Sequence, residues 1–314
     1  MPQAPVKPRR SESADGAARP PVDSWDGAVA AFLDDCRRRN HTPATLSVYA
    51  SALSGPRIST FREDHGLRRL REFTAEKLRQ LELELLDAGL SAGTVHQYHR
   101  TLKTFLMWCQ SQGYEVDART AEVKGPRVPQ KEPSTYTDDE IRRLLAAARH
   151  PRDRFLVEFF LATGLRLSEV VAMEVDDIVE LPGRGAYLRV RQGKGRKDRL
   201  VPLDADFYKR LKSYVGKQRR EGTPQLFTSL RGTAARLDRE AVKSTLDRLG
   251  QDAGVHCHAH KFRHTFASRA IADGVDPLTL QRVLGHTTLE MVSRYVHYSA
   301  ADLLTAWRVR RPTA

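Results

Sequence analysis

Acidic residues are the first shortage in this chain. Its 314 residues hold 39 aspartates and glutamates against 52 lysines and arginines, a formal net charge of +13, with an isoelectric point near 9.9. Such a balance favours an anionic partner, and nucleic acid is the first candidate. An anionic membrane surface is the rival, and a soluble enzyme that is merely basic also satisfies the charge alone. Cysteine is scarce too. Cys36, Cys109 and Cys257 fit no zinc spacing and are too few for a disulfide scaffold, so a reducing compartment is expected. Long apolar runs are missing: the longest, Phe155 to Leu165, is short and contains Glu158, which excludes a membrane-spanning helix. The first 24 residues carry Lys7, Arg9, Arg10 and Arg19 among prolines, alanines and acids. No apolar stretch follows, so no secretory signal is expected. The chain reads as intracellular. There is no internal repeat.

The 40% of residues that are hydrophobic suffice for two modest cores, and the length suits two domains. Residues 1–24 read as a disordered basic arm, 25–115 as a helical domain, 116–135 as a linker and 136–314 as a second domain. In the first, Thr42 caps a helix with Pro43 at its first position, and Gly55-Pro56 ends it. Another helix starts near Thr74 and stops at Gly89. A longer one runs from about Ser91 to Gln112. Its Val95, Tyr98, Leu102, Phe105, Leu106 and Cys109 form an apolar stripe, with His96, His99, Arg100 and Lys103 assigned to the opposite, cationic face. That face suits a phosphate backbone, though an ordinary solvated face has the same pattern. The linker holds Pro126, Pro129 and Pro133, and its Lys124, Arg127 and Lys131 are placed to track along DNA.

The second domain opens on the capping box Thr137-Asp138-Asp139-Glu140. Helices are expected up to Gly164 and over Ser168 to Met173. The period then changes to two short strands, Ala186 to Gln192 and Arg199 to Leu203, around Gly193-Lys194-Gly195-Arg196. Helices return near 205–216, 238–249, 261–273 and 277–284, and a last one is expected over Ala301 to Trp307. The class is mainly α with a small antiparallel β-sheet.

Chemistry-bearing residues gather in this domain. Arg166 follows a helix-ending glycine, and Glu169 is spaced to orient it. The hairpin holds Arg189, Arg191, Lys194, Arg196, Lys197 and Arg199 against Asp198 alone, like charges that repel unless an anion is near. It is no Walker loop, because no Gly-Lys-Ser/Thr opens a helix. In His260-Lys261-Phe262-Arg263-His264, the residues His260, Arg263 and His264 share a helix side. The zincin glutamate is absent and Arg263 would repel a cation, so the cluster suits phosphate better than metal. Leu284-Gly285-His286 follows, then Tyr295 and Tyr298. The residues alone leave the choice between the two tyrosines open.

In their order, these segments resemble the tyrosine recombinase (phage integrase) family, and within it the small bacterial chromosome-dimer-resolving type. The features that carry the likeness are Ala162 to Glu169, Gly193-Lys194-Gly195, His260 to Arg263, Leu284-Gly285-His286 and Tyr295. Ala259 and Phe262 depart from the usual box, and neither touches the chemistry. The resemblance implies a helical SAM-like core-binding domain followed by a mixed α+β catalytic domain, closing as a C-shaped clamp on duplex DNA. It implies Tyr295 as nucleophile, because Tyr295-Val296-His297 matches the family's Tyr-x-His pattern. Arg166 and Arg263 would hold the scissile phosphate, and Lys194 would protonate the leaving 5′-oxygen. His260 would assist the tyrosine proton or donate to the phosphate, and His286 would donate to it. No cofactor or metal is implied. The implied partner is double-stranded DNA with inverted-repeat half-sites, in the cytoplasm on nucleoid or plasmid, bound as a dimer and synapsed as a tetramer, alone or with a partner recombinase. Rival readings are a mobile-element integrase or transposase, a type IB topoisomerase, a catalytically silent DNA-binding protein, and an unrelated nucleic-acid enzyme.

Overall fold

In a computed structural model, residues 23–129, 133–181, 185–191, 198–230, 235–285, 288, 290–293 and 295 are described. The chain divides into two compact units, Met1–Gln130 and Lys131–Ala314. Among the described residues no helix is long and apolar enough to cross a membrane.

The first unit is helical: α1 (Trp25–Arg38), α2 (Pro43–Ser54), α3 (Pro56–Asp64), α4 (Ala75–Asp87) and α5 (Ala92–Ser111). Local chemistry explains the boundaries. The Thr42, Thr74 and Ser91 hydroxyls each accept a backbone N–H in the first turn of their helix, satisfying a donor that has no partner within the helix. Gly55-Pro56 does end α2, yet Pro56 also opens α3, an element the sequence reading lacks. Pro supplies a preset φ at a first helical position, so one proline both stops and starts a helix. The core gathers Trp25, Phe32, Phe73 and Phe105. The start of the segment read as linker packs here as well: a short 3-10 turn covers Ala118–Glu122, and Val123 is buried in the same core.

The second unit begins with α6 (Asp138–Ala147), whose capping box is formed: Thr137 Oγ1 accepts from Glu140 N at 3.1 Å and Glu140 Oε2 from Thr137 N at 2.8 Å. Then come α7 (Pro151–Thr163) and α8 (Leu167–Ala172). The sheet has three antiparallel strands in the order β1 (Ile178–Leu181), β2 (Gly185–Val190) and β3 (Arg199–Leu203). The sequence pattern implies two; the third is β1, which pairs with β2 with Leu181 opposite Gly185. Helices α9 (Ala205–Lys217), α10 (Arg239–Ala253), α11 (Ala259–Ala272) and α12 (Pro277–Leu284) follow. The helix expected over 301–307 lies outside the described residues. The architecture is mainly helical with a small antiparallel sheet, as the sequence pattern implied.

Two features of this packing position the site. Phe262 of α11 stacks on Phe160 of α7, ring centroids 5.6 Å apart, so the atypical box residue serves as a core filler. On β3 the inward positions are Arg199, Val201 and Leu203, because alternate residues face one side of a strand. A guanidinium therefore points where its strand neighbours place methyl groups.

Candidate active site

The site forms where three carbonyls are left over at the C-terminal end of α12. The last turn of a helix leaves carbonyl oxygens without intrahelical donors and concentrates negative potential there. Three arginines from three other elements use them. Arg199 donates from Nε to the Val283 carbonyl at 2.7 Å. Arg263 donates from Nη2 to the Leu284 carbonyl at 2.8 Å. Arg166 reaches the Leu284 carbonyl at 3.4 Å and the Gly285 carbonyl at 3.2 Å. Gly285 adopts the left-handed conformation, φ +66°, which turns the chain off the helix directly before His286.

Glu169 ties two of these guanidiniums together. Arg199 grips it with both terminal nitrogens at 2.9 Å, and Arg166 donates to it at 3.1 Å. Its second oxygen also accepts the Arg166 backbone N–H at 2.8 Å, fixing the start of α8. Burial alone would raise the Glu169 carboxyl, but the Arg199 hydrogen bonds and charge, with help from Arg166, leave it below the usual value. Arg263 is buried, and its other terminal nitrogen donates to the Gly164 carbonyl at 2.9 Å. Burial and the neighbouring Arg166 lower its pKa to about 10, so it stays a cation at neutral pH. Charge held in this way, before any ligand arrives, is suited to an anion whose charge grows during reaction.

His260 is exposed and lies with Arg166 and Arg263 on a groove of about 470 Å³, which Arg239 and Lys243 of α10 also line. Desolvation, then Arg263 and Arg166, hold its imidazole below the ordinary value. One turn along α11, His264 Nδ1 lies 2.6 Å from the Tyr295 hydroxyl. Tyr295 is 7% exposed and packs with Ala267, Leu280, Leu284 and Val292. Thus Arg166, Arg263, His260 and Tyr295 come to one neighbourhood, while Lys194 and His286 lie outside the described residues, as do Arg196, Lys197 and Tyr298. Among the described residues there is no cluster of three or more His, Cys, Asp or Glu arranged to hold a metal.

The proposed phosphate-tracking residues fare unevenly. His99 requires a correction: it is buried, with Nδ1 2.6 Å from Glu82 Oε1, and not on a cationic face. The reason is legible in its spacing, because 95, 99, 102 and 106 follow the helical repeat and Val95, Leu102 and Leu106 are all core. His96 and Lys103 are half-buried against the segment that follows α5, His96 Nδ1 3.1 Å from the Pro126 carbonyl and Lys103 Nζ donating to the Val123 carbonyl at 3.4 Å. Arg100, Lys124 and Arg127 are exposed. Arg191 is exposed but paired with Glu174 at 2.9 Å and Asp177 at 2.7 Å.

Arg199 and His264 are the residues whose importance sequence reasoning underrated. In the sequence Arg199 is one of the hairpin's charges, and only strand parity points it inward. His264 groups there with His260 as a phosphate donor, since helix spacing cannot say which of two neighbours on one side meets a distant tyrosine.

Residues 135–302 match the phage integrase family. The tyrosine recombinase XerD of Bifidobacterium longum (strain NCC 2705) is 30% identical over 303 residues, covering 88% of this chain and 94% of that protein. The tyrosine recombinase XerC of Chromobacterium violaceum is 29% identical over 298 residues, covering 92% and 96%. A crystal structure of a lambda integrase tetramer bound to a Holliday junction superposes with a TM-score of 0.70 at 20% identity, covering 87% of this chain and 77% of that one.

Proposed function

The chain belongs to the phage integrase family of tyrosine recombinases, and on that premise we propose that it cuts and rejoins duplex DNA through a 3′-phosphotyrosyl intermediate on Tyr295. The observation that carries this reading is the convergence of Arg166 and Arg263 on the Leu284 carbonyl, with His264, the residue after Arg263 on α11, 2.6 Å from the Tyr295 hydroxyl. A phosphodiester resists attack because it is already anionic, and two guanidinium forks match its non-bridging oxygens while neutralising the charge that develops in the transition state. In this reading the Tyr295 oxygen attacks phosphorus, Lys194 protonates the departing 5′-oxygen, and His260 and His286 donate to the phosphate. The phosphotyrosine stores the bond energy, so a 5′-hydroxyl can later displace the tyrosine with no nucleotide cofactor.

The test is a denaturing gel after incubation with nicked duplexes. A covalent protein–DNA adduct is expected with the wild type, absent in Tyr295→Phe and retained in Tyr298→Phe. An adduct that survives Tyr295→Phe removes Tyr295 from the role.

The partner in this reading is double-stranded DNA with inverted-repeat half-sites, occupied by a dimer and synapsed as a tetramer; the tetrameric lambda integrase complex supports the last step. The role we infer is resolution of chromosome or plasmid dimers, hence chromosome partition at cell division, supported by the similarity to XerC and XerD recombinases over most of both chains. Integration or excision of a mobile element would use the same residues. Mapping the bound DNA in vivo at base resolution separates them: one chromosomal or plasmid site with inverted half-sites fits resolution, and sites at the ends of a mobile element contradict it.

A further inference from the structure

We propose that His264 is the base that takes the proton from the Tyr295 hydroxyl. This rests on the reading of Tyr295 as nucleophile and adds what that reading leaves open, the destination of its proton.

The two histidines of α11 stand one turn apart, ring centroids 4.3 Å from each other in an edge-on arrangement, yet their surroundings differ. His260 opens onto the groove shared with Arg166 and Arg263, where a phosphate would lie. His264 is half-buried and meets the tyrosine, Nδ1 to hydroxyl 2.6 Å, at the short end for such a bond. Tyr295 sits in an apolar cluster, and an apolar setting opposes a free phenolate. The hydroxyl therefore needs an acceptor in contact with it, and His264 is in contact. Of the charged and titratable groups around this pair, His260 of α11 meets the His264 ring edge-on, Arg263 interacts electrostatically with Tyr295 and Arg166 with His260. From α12 and the four-residue helix Glu290–Ser293 come Leu280, Leu284 and Val292.

The step balances without a further reagent. As the Tyr295 oxygen bonds to phosphorus, its O–H bond breaks and the proton passes to His264 Nδ1. The bond from phosphorus to the 5′-oxygen breaks, and that oxygen takes a proton from the acid assigned to Lys194. On rejoining, the 5′-hydroxyl attacks phosphorus and returns its proton to Lys194, and the departing tyrosine oxygen recovers its proton from His264. The required tautomer of His264 carries its hydrogen on Nε2 before reaction.

The test uses His264→Asn, whose Oδ1 keeps an acceptor near the Nδ1 position but takes no proton, and His264→Gln as a second variant in case the first is unstable. Single-turnover adduct formation is followed against pH on a nicked duplex carrying the mapped site. A phenol with pKa about 10 is ionised to roughly one part in a thousand at pH 7. Removing the base is expected to slow cleavage by about 10²–10³-fold there, and the deficit should shrink steadily toward pH 9 as hydroxide does the work. A substrate with sulfur in place of the bridging 5′-oxygen, which leaves without a proton, should rescue Lys194→Ala and not His264→Asn. A pH-independent deficit, or rates within threefold of wild type in both variants, overturns the proposal and leaves Tyr295 untouched. An adduct in Tyr295→Phe overturns the nucleophile reading itself, so the two failures are distinguishable.

Discussion

Arg199 occupies the inward side of a strand next to Val201 and Leu203, and its charge is tolerated there only because Glu169 and a helix-end carbonyl meet it. Its side chain is 8% exposed and that of Glu169 14%. Arg199→Ala should therefore cost about 3–5 kcal/mol in urea unfolding, since removing one partner strands the other charge in the interior. The same change frees Glu169 to swing from Arg166, so adduct formation should fall even at temperatures where the variant stays folded. The pair also gives a pH dependence with a definite sign. The Glu169 carboxyl is lowered from its ordinary 4.5, so its contribution to stability is present above that value and is lost as pH falls through the lower folded one. Unfolding free energies measured from pH 5 down to pH 3 should decline less steeply for Glu169→Gln than for the wild type.

At the scale of elements, the sharp turns between helices hold the arginines in place. Gly164 ends α7 with φ +59°, and a Cβ there would lie 2.4 Å from a ring carbon of Phe266. Its carbonyl is the one that holds Arg263. Gly164→Ala should destabilise by roughly 2–4 kcal/mol, combining left-handed strain with overpacking. At Gly285 the added Cβ would come 3.2 Å from the Arg199 side chain, a closer fit than usual but against a side chain and not a ring. Gly285→Ala should cost about 1–2 kcal/mol, with a larger effect on adduct formation than on melting, because the Gly285 carbonyl is one of those that hold Arg166. Thermal melts and single-turnover cleavage of the two variants, measured side by side, check this ordering. Thr137→Ala, which removes half of the α6 capping box, should cost about 1 kcal/mol and change cleavage less than either glycine variant.

At the scale of the whole molecule, the excess of 52 basic over 39 acidic residues is distributed unequally in its availability. Arg166, Arg199 and Arg191 are partnered by carboxylates, whereas Arg100, Lys124 and Arg127 are exposed. Affinity for duplex DNA should fall steeply with salt as counterions are released. Arg100→Ala, Lys124→Ala and Arg127→Ala should each weaken binding across all sequences and lower the salt slope by about 1. Arg191→Ala should change the slope less, because Glu174 and Asp177 already neutralise it. Fluorescence anisotropy titrations over a range of salt concentrations measure each slope.

The sequence by itself determined most of the element boundaries, because capping and turn chemistry act over three or four residues: Thr42, Thr74, Ser91 and Thr137 start helices where their side chains reach the backbone. It also determined the family, since ordered short motifs survive when nothing else is known. It misjudged what depends on partners far along the chain. Pro56 reads as a stop until the helix it opens is seen, and β1 is too short to announce itself without β2 beside it. His99 reads as a surface cation until Glu82, on another helix, is found against it. Tertiary structure alone decided that three arginines share one helix end, and that of two histidines a turn apart His260 faces the groove and His264 faces Tyr295. The physical reason is the same in each case. A charge or imidazole has no fixed role in its own helix or strand; the carbonyls, carboxylate and hydroxyl brought against it by folding assign one.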